Sequence, residues 1–408
     1  MFSKSGSMLR RLGPFVGLIG IFIGGILLNG GTFLSLYNQL NVLGRVSIIA
    51  LPSVGMTLVI LSAGIDLSVG SMVSLSSVVC AMLLMERDWT KATSLAVPLF
   101  SLLIVFVGIH LCNRWMRRFG SSQRVSKVIS ILIGIGFGCA VFFLMHRQVV
   151  SGFSTLSVLL LVPVMGLFLG AFNGLIIAKG KIQPFIVTLG MMSGAIGLAK
   201  FIAGKGGQIH PIYYEAIGYS AEGTIHVAPK SFDVLSSKVS IFGADIFPVT
   251  GLFFLISVLV VHFILTRLRF GRYIYAIGGN EETARLSGIK VARVKILVYA
   301  ISGGLSALAG VLYCSSYTQG KPDAGATWEL DAIAAVVIGG TSLMGGKGSV
   351  IGTMVGVLIL GYLSNILNLQ EVSSEVQDIL KGVIIIGAVL LQEGTLMGWF
   401  RRRRKKEG

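Results

Sequence analysis

Three features of the sequence call for an all-α fold: a polytopic transmembrane bundle of about 12 membrane segments, with both termini in the cytoplasm. Hydrophobic residues fill 54% of the 408 positions and charged residues only 12%, about half the charged share of an ordinary globular chain. Apolar runs of about twenty residues, the length an α-helix needs to cross the hydrocarbon, recur from residue 14 to residue 400. Glycine, at 54 residues, lies within these runs, where a packed membrane helix tolerates it and a soluble helix does not.

The segments fall at about 14–36, 42–63, 66–85, 94–112, 128–145, 156–178, 184–203, 247–266, 294–315, 330–345, 349–368 and 379–399. The first run has no small-residue cleavage site and is expected to remain as an anchor. The connecting loops agree with one orientation. Inside loops would be 113–127, with Arg114, Arg117, Arg118, Arg124 and Lys127, then 179–183, and 267–293 with six Lys or Arg residues. Outside loops would be 86–93, the long 204–246 segment and 369–378, whose charges are all acidic. The net charge of +17, which in a soluble protein would suggest nucleic acid, is thereby explained as a positive-inside bias. The 400–408 tail, RRRRKKE after the last span, is expected to lie against anionic lipid rather than bind nucleic acid.

The 330–345 segment is the weakest span. It opens with Glu329 and Asp331, ends in GGTSLMGGKG, and leaves open either a re-entrant segment or a full crossing. Irregular backbone at membrane depth is tolerated only where protein or a wet cavity satisfies it. Glycines four residues apart recur as Gly20/Gly24, Gly166/Gly170/Gly174, Gly190/Gly194 and Gly352/Gly356, a spacing that lets helix backbones approach closely. GIDLSVGSMVSLSSV from Gly64 and GGKGSVIGTMVGVLI from Gly345 are weakly alike. Each is a polar, glycine-rich break entering an apolar span, as in transporters built from two halves.

Catalytic patterns are missing. His110, His146, His210, His226 and His262 are scattered, and neither HExxH nor GxSxG occurs. TSLMGGKGS places Thr341 where a Walker loop needs its first glycine and Gly348 where it needs a hydroxyl. The chain is therefore expected to hydrolyse no ATP, to need no cofactor of its own and to hold no metal. Cys80, Cys112, Cys139 and Cys314 lie in or beside apolar runs without CxxC spacing and read as small hydrophobes. Asp66, between two apolar runs, suits an N-cap and is also a candidate for a translocation path. Ser68, Ser71, Asn173, Thr188, Thr341, Ser342 and Asn365 are further candidates, each of which also suits an interhelical hydrogen bond.

The stretch RLRFGRYIYAIGGNEETARLSGIKVARVK, 267–295, carries its own helix signals. Asn280 is a good N-cap, Glu281 and Glu282 follow in the positive first turn, Arg285 lies near the negative end, and Gly288 suits a left-handed stop. Such a helix of about two turns is too short to persist alone and needs a surface to pack on.

That stretch resembles the coupling loop of the sugar-type ABC importer permeases, the ribose, xylose, arabinose and galactoside group. GMTLVILSAGIDLSVGS (55–71), NGLIIAKGKIQPFIVTLGMM (173–192), ELDAIAAVVIGGTSLMGGKGSVIGT (329–353) and SNILNLQEVSSEVQDILKGVIIIGAVLL (364–391) resemble the same family, in the same order. The similarity is greatest to ribose-type members, with xylose-type next. It implies an ABC permease subunit of the bacterial inner membrane, paired with a second copy of itself, a cytoplasmic ABC ATPase that spends the ATP, and an extracytoplasmic sugar-binding protein. Gly279, Asn280, Glu281, Ala284, Arg285, Leu286 and Gly288 would couple to the ATPase, with Ala284 in close docking contact.

Two features depart from the family. The 87–155 region looks like an added two-helix insertion, and the 204–246 loop is long. Other readings stay open on the residues alone: the same architecture carrying branched-chain amino acids or nucleosides, or a stand-alone secondary transporter. The latter would want embedded ionisable groups, for which only Asp66 and Asp331 offer themselves.

Overall fold

A computed structural model describes residues 2–85, 153–203, 230–241 and 243–392, with 101, 105, 108–109, 128, 130–136, 138–139 and 141–143 between them. The order opens with α1 (Phe2–Leu34), α2 (Leu36–Leu61), α3 (Val69–Met85), α4 (Thr155–Gly180) and α5 (Pro184–Ala203). After a short α6 (Lys230–Asp233), β1 (Lys238–Ile241) pairs antiparallel with β2 (Ala244–Pro248). Then come α7 (Val249–Arg267), α8 (Arg269–Gly279), α9 (Glu281–Leu286), α10 (Val291–Tyr317), α11 (Trp328–Ile338), α12 (Val350–Leu369) and α13 (Ser374–Gln392). Among the described residues, 7 helices are long and apolar enough to cross a membrane. They are α2, α4, α5, α7, α10, α12 and the part of α1 from Gly13 onward. The chain is a helical, polytopic membrane protein.

Glycine decides which helices touch. Gly166, Gly170 and Gly174 of α4 lie directly on the backbone of α10, at Gly303, Tyr299 and Ile296, where any side chain would collide. Gly352 and Gly356 of α12 lie in the same way on Gly339 and Ala335. The 352/356 and 166/170/174 stripes are thus seams within this chain, whereas Gly20, Gly24, Gly190 and Gly194 meet no neighbour within 4 Å. Lipid tails are as apolar as leucine, so close van der Waals contact of this kind supplies much of the helix–helix attraction. α2 and α10 form the centre, and α1 and α5 lie at the periphery.

The 330–345 segment, open to a re-entrant path or a full crossing, is a short helix followed by a turn. Its helix stops at Ile338 after 11 residues, about 16 Å at 1.5 Å per residue, roughly half the hydrocarbon thickness. Residues 339–349 then turn through Gly340, Gly345, Gly346 and Gly348, all with positive φ, so the segment enters the bundle without crossing it as one helix.

Two poles result. At one, Leu61 at the end of α2 accepts a hydrogen bond from the Gly346 amide at 3.0 Å, and Gly340 lies beside Pro14 of α1. At the other, Asn38 of α2 bonds Asn365 of α12, and Asp331 of α11 faces Lys381 of α13.

The predicted 94–112 and 128–145 spans fall largely outside the described residues. Those that are described are helical, with Gly134 and Gly138 closing on Ile109 and Val105. Residues 204–229, 86–93, 113–127 and the 400–408 tail lie outside the described residues, as does the end of the 379–399 span beyond 392.

Candidate functional site

The 267–293 loop holds two helices rather than the one its caps announce. α8 is amphipathic: Gly271, Ile274, Ile277 and Gly278 are buried while Arg269, Arg272 and Tyr273 are exposed. It seats against both helix breaks. The Tyr275 hydroxyl donates to the Gly348 carbonyl at 2.9 Å. A side chain at Gly278 would run into the Leu61 carbonyl and the Gly346 amide.

α9 follows immediately and is closed at both ends. The Asn280 carboxamide oxygen accepts from the Thr283 amide at 2.8 Å. At the far end the Ile289 amide donates to the Ala284 carbonyl at 3.1 Å and the Gly288 amide to the Arg285 carbonyl at 3.0 Å, the paired bonds of a Schellman stop. Gly288 has φ +82° with open space around its α-carbon, so glycine is favoured there by conformation and not by crowding. Lys295 of α10 ties down Glu281 at 2.6 Å. Glu282 and Arg285 pair at 2.6 Å across one turn, and that hydrogen bond, more than the accompanying charge attraction, raises the already high pKa of the exposed guanidinium.

Ala284, expected in close docking contact with a partner, is 4% exposed and turned into the chain's own core. It lies on the face of a six-residue helix that rests on the bundle. The outward face carries Glu281, Glu282, Arg285 and Leu286, with Leu286 80% exposed.

Most of the expected path residues are committed to packing. Asp66 accepts from the Ser68 amide (3.0 Å), the Ser68 hydroxyl (2.6 Å) and the Ser302 hydroxyl of α10 (2.9 Å). Asn173 of α4 donates to the Ser68 hydroxyl at 3.1 Å. Asp66 is therefore the centre of a buried clamp joining the α2–α3 break to α4 and α10. Ser71 donates to the Ser68 carbonyl and Thr188 to the Pro184 carbonyl, each within its own local turn. Thr341 is fully buried under Gly348, and Ser342 closes the glycine-rich turn by donating its amide to the Lys347 carbonyl. The structure brings Asp66, Ser68 and Asn173 together, and it separates them from Asn365.

Asn365 instead lines a cavity of about 260 Å³ at the opposite pole, with Asn38 and Arg45 of α2, Trp328 and Asp331 of α11 and Lys381 of α13. Sequence reasoning singled out neither Trp328 nor Lys381. Lys381 carried a readable signal, since it is an ionisable group at the start of the last apolar run.

Fold and site together define a multi-pass membrane protein of the permease class, with an exposed, capped helical loop at one end of the bundle and a polar cavity at the other. The chain belongs to the family described as branched-chain amino acid transport system / permease component, which matches residues 38–389. It is similar to the ribose import permease protein RbsC of Haemophilus influenzae, 36% identical over 386 residues, 94% of each chain. Similarity to the RbsC of Bacillus subtilis is 35% over 387 residues, 94% of this chain and 93% of the relative. The xylose transport system permease protein XylH of Escherichia coli is 34% identical over 380 residues, 90% of this chain and 87% of the relative. No solved structure matches the chain significantly. As a member of this bacterial family with several apolar helices, it is a multi-pass protein of the inner membrane.

Proposed function

We propose that the chain is the membrane-spanning permease subunit of an ATP-driven, binding-protein-dependent importer of a pentose or hexose. The observation that carries the coupling half of this reading is α9: a helix of 6 residues capped at both ends, pinned to α10 and exposing Leu286. So short a helix is not worth holding rigid unless something packs on it. A cytoplasmic ABC ATPase is that partner, meeting Gly279, Asn280, Glu281, Arg285 and Leu286, while Ala284 and Gly288 set the helix in place. The ATP is spent by the partner and no cofactor resides in this chain. The cargo half follows the relatives, whose names specify ribose and xylose over nearly the whole chain.

A second permease copy completes the pore, and an extracytoplasmic sugar-binding protein delivers the cargo. In this reading twelve segments cross or enter the membrane with both termini cytoplasmic. Residues 87–155 are an added helical pair, 204–246 faces outward, 267–293 is the coupling loop, and 400–408 rests on anionic lipid. The basic bias of the inside loops supports that orientation. The family's description favours one second reading, a branched-chain amino acid as cargo.

The test is reconstitution of the chain with its ATPase and binding protein in proteoliposomes. Purified alone it should hydrolyse no ATP; the complex should take up D-ribose or D-xylose only with ATP, and loaded binding protein should stimulate hydrolysis. Leucine uptake in place of either pentose would move the assignment to the second reading. Pentose uptake that persists without ATP under a proton gradient would establish a secondary transporter instead.

A further inference from the structure

We infer that the cavity between α2, α11, α12 and α13 holds the transported monosaccharide in transit, an inference that rests on the importer reading above. Its volume of about 260 Å³ lies just below the roughly 300–1,000 Å³ of sites for drug-sized ligands, which leaves room for a small solute. The walls combine the two chemistries a sugar needs. Asn38 and Asn365 hold one another by reciprocal carboxamide hydrogen bonds of 3.1 and 2.9 Å. Each carboxamide has two donors and two acceptor lone pairs; Asn38 gives its second N–H to the Phe33 carbonyl, which leaves a lone pair on each oxygen and an N–H of Asn365 for hydroxyls, which both donate and accept. Asn41 and Asn368 line the same cavity and add two more such groups.

Asp331 and Lys381 stand 3.6 Å apart on the far wall, each largely enclosed. Their charges largely offset one another, so they can hydrogen-bond a neutral polyol without demanding a charged ligand. Trp328 offers an apolar ring face for sugar C–H groups beside an indole donor, and Tyr313 braces that ring edge-on at 6.0 Å. Arg45 on the same wall could meet a carboxylate, but a branched-chain amino acid also needs a partner for its ammonium group, and the one carboxylate among these groups, Asp331, already faces Lys381.

The cavity also has a mechanical link to the coupling pole. α11 begins at Trp328 in the cavity wall and ends in the glycine-rich turn that α8 touches. A shift of α8 and α9 thus has a helix through which to reshape the cavity.

Three variants test this in the reconstituted complex, with insertion checked by gel filtration and uptake followed with radiolabelled D-ribose, D-xylose and leucine. Trp328→Ala should lower pentose uptake by about tenfold or more, and Trp328→Phe should keep it within about threefold, as expected when a contact used in transport is lost or conserved. Ser364→Phe fills the cavity instead of removing a contact, and it should also lower uptake by about tenfold; it decides the matter if Trp328→Ala does not insert. A wild-type complex that carries a pentose, together with Ser364→Phe at wild-type rates, would leave the importer reading intact and overturn the cavity assignment. A wild-type complex that carries leucine and no pentose would overturn both.

Discussion

Gly288 and Ala284 show how one position can matter for conformation and another for burial within the same short helix. Gly288 sits at φ +82° with nothing within 4 Å of where a side chain would begin. Valine there meets no neighbour but must adopt a left-handed backbone, at about 1–2 kcal/mol, a penalty that asparagine largely escapes. Gly288→Val should therefore loosen α9 and lower ATP-driven uptake, whereas Gly288→Asn should stay near wild type; equal uptake by the two would show that the Schellman stop is dispensable. Ala284→Asp should act differently. It buries a carboxylate in the chain's own core, so the expected result is lower thermal stability of the purified permease as well as lost uptake. An Ala284→Asp protein that melts like wild type would contradict the inward orientation.

At the scale of elements, α9 and α8 divide the work: one presents a surface and the other carries it inward. Leu286 is the exposed apolar side chain of α9, and it makes no demand on the fold. Leu286→Asp should leave abundance and detergent stability unchanged while reducing co-purification of the ATPase; undiminished co-purification would place the docking surface elsewhere. The sequence made α9 legible because Asn280 and Gly288 are residue types with a specific geometric use at helix ends. It also carried the spacing of α8, with Gly271, Ile274, Ile277 and Gly278 on one face, but the arginines and tyrosines between them read as loop. The orientation of Ala284 was not legible, since six residues give no apolar period to read. The cavity was illegible for a different reason. Its groups come from separate helices, Asn38 and Asn365 standing 327 positions apart, and no local spacing announces such a pairing. Polar residues within spans carry a different ambiguity. Ser71 and Thr188 bond to their own local backbone while Ser68 joins the Asp66 clamp, and sequence alone does not separate these roles from that of a path residue.

At the scale of the whole molecule, the question is how a push on α9 reaches a cavity at the other pole. From Arg45 to Leu61 is 16 residues of α2, about 24 Å of helix, and coupling over such a distance needs packed elements with two arrangements. The seam where α8, the α2–α3 break and the 339–349 turn meet is the point through which a push must pass. There Gly278 touches the Leu61 carbonyl and the Gly346 amide, which are themselves hydrogen-bonded. Glycine allows three backbones to converge, and a methyl group at position 278 would wedge them apart. Gly190 of α5 has open space where a side chain would begin and lies outside both the seam and the docking loop, which makes it a control. ATP can shift the permease only as far as the ATPase distinguishes its two states, so a wedge in this seam should spare docking and block transmission. Gly278→Ala is accordingly expected to insert, to co-purify with the ATPase and to lower ATP-driven uptake by about tenfold or more, while Gly190→Ala transports near the wild-type rate. Uptake, ATPase co-purification and permease abundance should be measured on the same preparations. Wild-type uptake by Gly278→Ala would mean that the seam transmits nothing and that the stroke enters the bundle by another route.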